Sequence, residues 1–221
     1  LYSRGIRGLI FLPMPWPHPT LDVDWRHFSP VTCTLSTGEP RLPCVTSHHH
    51  RGTAHLIDWL VRRGSRSIGL IQFEAVEERN ERMFTAAALS RAQVHPDLRL
   101  RLGFLPFQFK DGEFADWFQR EPMDVLIAPS RDMNAPRRLK QLGHTIGRTI
   151  GYAELDMDPD DRGTIAGLFQ RCETIGREAV RYLSQALYRN EMGLPDHPPT
   201  ILIEPDVSDG ESLDCLQSAA E

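Results

Sequence analysis

Residues 46 to 73, which read TSHHHRGTAHLIDWLVRRGSRSIGLIQF, contain the clearest structural signal of the chain. Apolar residues recur at helical spacing within 51–63, so this part predicts an amphipathic helix. Gly64 follows directly, and glycine is common where a helix ends. The largely apolar run 67–73 then predicts a strand that is buried on both faces, which is typical of a parallel sheet.

The same alternation of short apolar runs and longer amphipathic stretches continues on both sides. Further strands are predicted at 8–13, 31–35, 43–47, 100–104, 125–128, 149–153 and 200–204. Further helices are predicted at 76–91, 112–119, 134–143 and 168–190. Strands that alternate with helices in this way indicate an α/β fold built from parallel βαβ units.

Composition excludes several classes of protein. The 25 basic and 30 acidic residues give a net charge of −5, so these 221 residues lack the basic excess of a nucleic-acid-binding surface. Forty per cent apolar residues are ordinary for a globular chain. The apolar runs are too short to cross a bilayer, and we expect no membrane segment.

The four cysteines indicate a reducing environment. Cys33, Cys44, Cys172 and Cys215 lie far apart, and none forms a C-x-x-C pair. Free thiols are favoured over two disulfides, and we therefore expect a cytoplasmic protein.

No recognised catalytic or metal-binding motif is present. The chain has no glycine-rich phosphate loop, no nucleophile elbow and no H-E-x-x-H sequence. The acidic run 156–161 resembles a calcium loop, but it lacks the glycine and the glutamate that such a loop requires. The three histidines at 48–50 are interpreted as a polar loop. We expect no enzyme, no metal and no cofactor.

One spacing points to a known family. Thr46-x5-Gly52-x-Ala54-x5-Leu60-x3-Gly64, followed by RSIGL at 66–70, resembles the stretch V…D…G…A…L…GHRRIGL. That stretch belongs to the effector-binding domain of the LacI/GalR family of bacterial transcription regulators.

Four further segments resemble motifs of this family, in the same order. Residues 80–89 are similar to R-x-x-G-F-x-x-A-L, and 124–143 to P-D-A-V-x-A-x-N-D…L…G. Residues 150–154 stand where V-G-F-D-D is expected. Residues 164–183 are similar to T-T-V-x-Q-x…L-G-x-x-A…L. The resemblance therefore extends over most of the chain.

The resemblance implies a type I periplasmic-binding-protein-like fold, with two doubly wound parallel-sheet lobes and a ligand cleft. The N-terminal lobe would hold 1–46 and 167–197 and would be incomplete. The C-terminal lobe would hold 47–166 and 198–221. The first strand corresponds to the third strand of the family. We therefore expect a longer protein, with the first βα units and the DNA-binding head absent from this chain.

The resemblance also implies a set of ligand-binding residues, of which the helix arginine is ambiguous between two positions. They are Gln170, Arg79 or Asn80, Phe107, Thr34 and Glu154.

A structural role stays open for most of these residues. Gln170 would cap the long helix, and Phe107 would belong to the core. Arg79 and Asn80 would face solvent, and Glu154 would pair with an arginine.

Two positions depart from the family pattern. The family's N-D falls near Ala128-Pro129, and the first aspartate of V-G-F-D-D falls on Ala153. These polar groups hold sugar hydroxyls in the family, so the departures argue against a simple hexose as effector.

The function implied by the resemblance is that of a repressor-type transcription regulator. This chain would be its ligand-sensing and dimerisation domain, and a small-molecule effector, with carbohydrate-like molecules as candidates, would shift operator affinity. The protein would be a homodimer that binds operator DNA through an N-terminal helix-turn-helix. The alternative is a solute-binding receptor of a transport system, which shares the fold.

Overall fold

The computed structural model describes residues 1–14, 20–129 and 133–217. Its ten strands are β1 Gly8–Phe11, β2 Ser29–Thr32, β3 Cys44–Ser47, β4 Ser67–Phe73, β5 Arg99–Leu105, β6 Val125–Ala128, β7 Gly151–Glu154, β8 Ala166–Phe169, β9 Thr200–Ile203 and β10 Asp206–Ser208. Its seven α-helices are α1 His49–Arg62, α2 Glu74–Arg79, α3 Met83–Val94, α4 Asp111–Phe118, α5 Ala135–Gln141, α6 Cys172–Tyr188 and α7 Asp214–Gln217. Over this part of the chain, no helix is long and apolar enough to cross a membrane.

The first compact unit comprises Leu1–His48 and Arg171–Glu204. Its strands pair in parallel in the order β1-β2-β3-β9, so β1 lies at one edge of the sheet. Helix α6 packs on this sheet, where Ile175 and Ala179 share an apolar core with Val45. The predicted apolar stripe of the long helix thus covers the strands.

The second unit comprises His49–Gln170 and Pro205–Glu221. Its six strands follow the order β10-β8-β7-β6-β4-β5, and only β10 runs antiparallel to its neighbour. Apolar residues of α1 and α3 form the core on one face, and residues of α4 and α5 form the core on the other. Helices therefore cover both faces, as a doubly wound sheet requires.

Strand β4 confirms the prediction of a strand at 67–73 that is buried on both faces. Ile68 and Leu70 face the core with α1 and α3, whereas Ile71 and Phe73 face the core with α4 and α5. Since both faces are covered, all seven residues of the strand are buried. The predicted α/β class with parallel sheets is confirmed.

The helix predicted at 76–91 is wrong as a single element, because it is broken into α2 and α3. Glu81 and Arg82 adopt left-handed backbone conformations, with φ of 52° and 56°. The Asn80 side chain donates to the Val76 carbonyl and closes α2. The carboxylate of Glu77, on α2, then caps the start of α3, and this cap stabilises the turn between the two helices.

The helix predicted at 168–190 begins too early. Leu168 lies in β8, which pairs with β7, and α6 starts only at Cys172. A short apolar run reads equally well as strand or helix, and here burial on both faces selects the strand. Arg171, with φ of 52°, separates the two elements.

The two units differ from the expected lobes at all three boundaries, and the first boundary lies after His48 rather than after residue 46. Residues 167–170 were expected in the first lobe, but β8 extends the sheet of the second unit. Residues 198–204 were expected in the second lobe, but β9 pairs in parallel with β3 in the first unit. Strand pairing, which the motif spacing does not specify, sets these boundaries.

Candidate ligand-binding site

The strand order of the second unit defines one edge as the candidate site. The chain passes from β4 to β5 on one side and then returns to β6 on the other side of β4. Ligands of open α/β sheets bind outside the carboxyl ends of the strands, at such a reversal of strand order. Five of the six predicted residues follow or end strands at this edge, or lie on the helix that begins there: Arg79, Asn80, Phe107, Glu154 and Gln170.

Glu154 is the last residue of β7 and is buried. The Tyr152 hydroxyl donates to Glu154 Oε1 over 3.0 Å. Tyr152 lies two residues earlier on the same strand, so both side chains point to the same face. Burial, and then the charge of Glu154, raise the pKa of Tyr152 well above its usual range. The tyrosine therefore remains a donor that orients the carboxylate.

The close approach of two strands fixes the backbone of Glu154. A Cβ atom at Gly167 would overlap the backbone of Glu154, so glycine allows β8 to lie against β7 at this point. The pairing of Glu154 with Gly167 is part of the parallel ladder. Strand pairing thus fixes the backbone of Glu154, and the Tyr152 hydroxyl orients its carboxylate.

Gln170 follows β8 directly and is 7% exposed. Its Nε2 donates to the Leu155 carbonyl, while its buried Oε1 has no hydrogen-bond partner among the described residues. The N-cap position of α6 belongs to Arg171 and has no side-chain cap bond, so Gln170 does not cap the helix. A buried acceptor without a partner costs free energy and is a candidate for binding a donor.

Arg79 and Asn80 end the short helix that follows β4. Asn80 is buried, and its Nδ2 bond to the Val76 carbonyl is 2.8 Å long. A solvent-facing role is therefore wrong for Asn80, which has a structural bond. Arg79 is half-buried.

Phe107 is not a core residue. It follows β5, is 47% exposed, and its ring centroid lies 4.7 Å from that of Phe73. Phe73 ends β4, and the ring centroid of Phe109 lies 6.1 Å from that of Phe73. An aromatic surface therefore lies next to the reversal of strand order, with Phe107 as its exposed member.

Thr34 lies in the first unit, two residues beyond β2. Its hydroxyl donates to Ser36 Oγ and accepts from the Ser36 backbone nitrogen, each over 3.0 Å. These local bonds use the hydroxyl. Ser47, the last residue of β3, is buried and its Oγ has no partner among the described residues.

The sequence did not identify three residues as members of the candidate site: Ser47, Tyr152 and Phe73. Ser47 and Phe73 are the last residues of predicted strands, and this position was the available signal. Tyr152 was signalled by its spacing of two from Glu154 on a predicted strand.

Over residues 1–14, 20–129 and 133–217, no group of three His, Cys, Asp or Glu side chains is placed to hold a metal ion. The acidic run contains a short 3-10 helix, Pro159–Asp161, capped by the Asp158 side chain. Cys33 and Cys44 are free thiols, and burial raises the pKa of Cys44 to about 12. Cys44 is therefore a poor nucleophile.

Comparison with known proteins identifies the fold through structure. No protein-family model matches the chain, and no curated protein matches its sequence. A Burkholderia thailandensis protein, provisionally described as a ribose operon repressor, superposes with a TM-score of 0.70 at 20% identity, covering 93% of this chain and 78% of its own. A LacI transcriptional regulator from a Rhodococcus species gives 0.67 at 16% identity, covering 91% and 76%.

A third similar structure contains a bound sugar. It is a periplasmic binding protein/LacI transcriptional regulator from Alkaliphilus metalliredigens in complex with D-xylulofuranose. Its TM-score is 0.68 at 15% identity, and the match covers 94% of this chain and 77% of that one. The chain therefore has the α/β fold of LacI-type transcription regulators and periplasmic-binding-protein-like domains.

Proposed function

We propose that this chain is the ligand-sensing and dimerisation domain of a DNA-binding transcription regulator. A small-molecule effector would bind at the carboxyl ends of the strands, and binding would change the affinity of the protein for operator DNA. Operator DNA would be held by a helix-turn-helix that precedes these residues in a longer protein. Such a regulator acts in the cytoplasm, and two-fold symmetric operators call for a homodimer.

The observation that carries this proposal is the pair of acceptors on neighbouring strands, in a fold shared with LacI-type regulators. Glu154 ends β7, and Gln170 follows β8 with a buried oxygen that has no partner within the described part of the chain. A ligand with two neighbouring donors can bind both groups. The proposed effector is therefore a polar molecule of this kind, such as a sugar derivative.

Two positions argue that the effector is not a simple hexose. Ala128 and Ala153 are fully buried in the two cores of the second unit, so neither offers a polar group. The exposed ring of Phe107 supplies an apolar surface instead. An effector with a flat or apolar face fits this edge better than one that is hydroxylated on every side.

A ligand screen tests the sensing part of the proposal. Thermal unfolding would be followed with D-ribose, D-xylulose, myo-inositol, glucose and adenosine as probes. Binding of a probe at 100 times its Kd stabilises the protein by about 2.7 kcal/mol, which raises the unfolding temperature. Gln170→Ala should abolish that shift. Gln185→Ala, the same change at an exposed position of α6, should leave it intact.

The second candidate function is that of a solute-binding receptor. It is favoured by the Alkaliphilus structure, which is described both as a periplasmic binding protein and as a regulator. A receptor would bind its ligand as a monomer and would have no affinity for DNA. A DNA-binding assay of the full-length protein separates the two candidates, because the receptor has no affinity for DNA.

A further inference from the structure

Helix α3 has a composition that does not match its exposure. Eight of its twelve residues are apolar, and Arg91 alone is charged. A helix that is apolar on all sides is normally covered on all sides. The inner side, with Phe84 and Ala88, packs in the core beside α1. Leu89, however, is 50% exposed and Val94 is 55% exposed.

The exposed side of α3 forms a continuous stripe, which we call the α3 stripe. Its members are the N-cap residue Arg82 and, at helical spacing, Ala86, Leu89 and Gln93, and all four are exposed. Residues spaced by three and four lie on one face of a helix. Phe104 of the edge strand β5 is also exposed, and the Arg82 guanidinium lies 5.9 Å from its ring. The apolar surface therefore extends from α3 to the edge of the sheet.

Helix α6 provides the contrast within the same chain. Its outer side is exposed as well, but it has a charged or polar residue at most positions: Glu173, Arg177, Arg181, Ser184 and Gln185. Charges of this kind keep an exposed helix face solvated. The α3 stripe has a single charge, at its N-terminal end, so it has the character of a contact surface.

We propose that the α3 stripe binds a second copy of this chain, with the two α3 helices antiparallel across a two-fold axis. A two-fold contact must be complementary to itself. Leu89 lies near the middle of the stripe, and the small Ala86 beside it allows the two backbones to approach closely. Apolar surface on one copy thus meets apolar surface on the other.

The ends of the helix make this contact complementary in charge. Arg82 precedes α3, and Asp97 lies just beyond its C-terminal end; both are exposed. In an antiparallel pair, Arg82 of one copy comes to the end at which the other copy has Asp97. Each contact therefore includes two pairs of opposite charges.

The size of the surface limits its strength. Twelve helical residues extend over about 18 Å. A contact of this length is smaller than the roughly 1,600 Å² of a standard interface, so association in the micromolar range is expected. Association through this contact doubles the mass of the species that is present at low concentration. That species is either a monomer or the proposed homodimer.

Sedimentation velocity of the full chain, over about 1 to 200 µM, tests this contact. The wild-type mass should double with rising concentration. Leu89→Glu should weaken this step by at least about tenfold, because it places a charge in the middle of the stripe. Val180→Glu is the matched control, since Val180 is 53% exposed on α6 and should leave the doubling unchanged.

A charge exchange makes the test independent of any loss of folding. Arg82→Asp and Asp97→Arg should each weaken the doubling, and the double variant should restore it. Absence of doubling in the wild type, equal loss in Val180→Glu, or failure of the double variant to recover would overturn the proposal.

Discussion

The carboxylate of Glu77 on α2 accepts a hydrogen bond from the backbone nitrogen of Thr85 in the first turn of α3, over 3.1 Å. Thr85 is the third residue of α3, where a helix has unsatisfied N–H groups. The N-cap residue itself, Arg82, makes no side-chain cap bond. A glutamate from the preceding helix therefore replaces the usual local cap.

Removing this cap should destabilise the second unit. Glu77→Ala leaves the Thr85 N–H without its acceptor, and we expect a loss of about 1–2 kcal/mol in the free energy of unfolding. Glu77→Gln keeps an acceptor oxygen and should lose less. Urea denaturation of both variants measures the difference. An unchanged midpoint for Glu77→Ala would show that the bond contributes nothing.

The same residue predicts a dependence of stability on pH. Burial raises the pKa of Glu77 above 4.5, against the opposing effects of Thr85 and Arg82. The folded protein thus binds the proton more tightly than the unfolded chain does. The stabilisation from this group is complete below the unfolded pKa and is lost as pH rises through the folded pKa.

The wild type should therefore lose stability relative to Glu77→Gln as pH rises through the folded pKa of Glu77. Other groups titrate equally in both proteins, so the difference isolates Glu77. Denaturant unfolding of the pair at several pH values provides the measurement. A wild type that gains stability relative to the variant as pH rises would show that the pKa of Glu77 is lowered on folding.

The hydroxyl of Tyr152 should matter both for stability and for the site. Tyr152→Phe deletes a buried donor to a carboxylate, and we expect a cost of about 1.5–3 kcal/mol. Tyr188→Phe is the matched control, since Tyr188 is 93% exposed on α6. Thermal unfolding of the two variants should show a shift only for the first. Equal behaviour would mean that the bond to Glu154 is not formed.

The edge strand β5 tolerates only glycine at one position. A Cβ atom at Gly103 would overlap the indole of Trp117, whose Nε1 donates to the Leu102 carbonyl over 3.0 Å. Gly103→Ala should cost about 1–3 kcal/mol through overpacking. Gly112→Ala meets open space in α4 and should instead stabilise by about 0.5–1 kcal/mol. Urea denaturation of both variants provides the comparison, and effects of the same sign would refute the role assigned to Trp117.

The regular strands of the second unit were predictable because their signal is local. Strand β4 was predicted with the correct bounds, since the run is largely apolar and Gly64 ends the preceding helix. The break between α2 and α3 was not predictable, because the apolar period continues through it and the bond from Glu77 to Thr85 stabilises it. Strand β10 has three residues and depends on β8 for its pairing, so it has no pattern of its own.

The candidate site was predictable by position but not by bonding. Glu154 was predicted next to a strand end and lies there, whereas Gln170 was predicted within the long helix and instead follows β8 directly. The Nε2 of Gln170 donates to the Leu155 carbonyl, and its Oε1 has no partner in the described ranges. Both features depend on the conformations of the loops that follow β7 and β8, which the sequence pattern does not specify. Thr34 was also expected at the end of a strand, but its hydroxyl donates a hydrogen bond to Ser36 Oγ.

The proposed function depends on coupling between ligand and DNA, which is measured as DNA affinity with and without ligand. Fluorescence anisotropy would follow the full-length protein on a genomic fragment that it selects, with and without a saturating probe found in the ligand screen. Coupling between the two sites predicts a change in Kd of about 5- to 150-fold for the wild type. No change is expected for Gln170→Ala. A ligand that binds the wild type and leaves its affinity for DNA unaltered would exclude the proposed regulator.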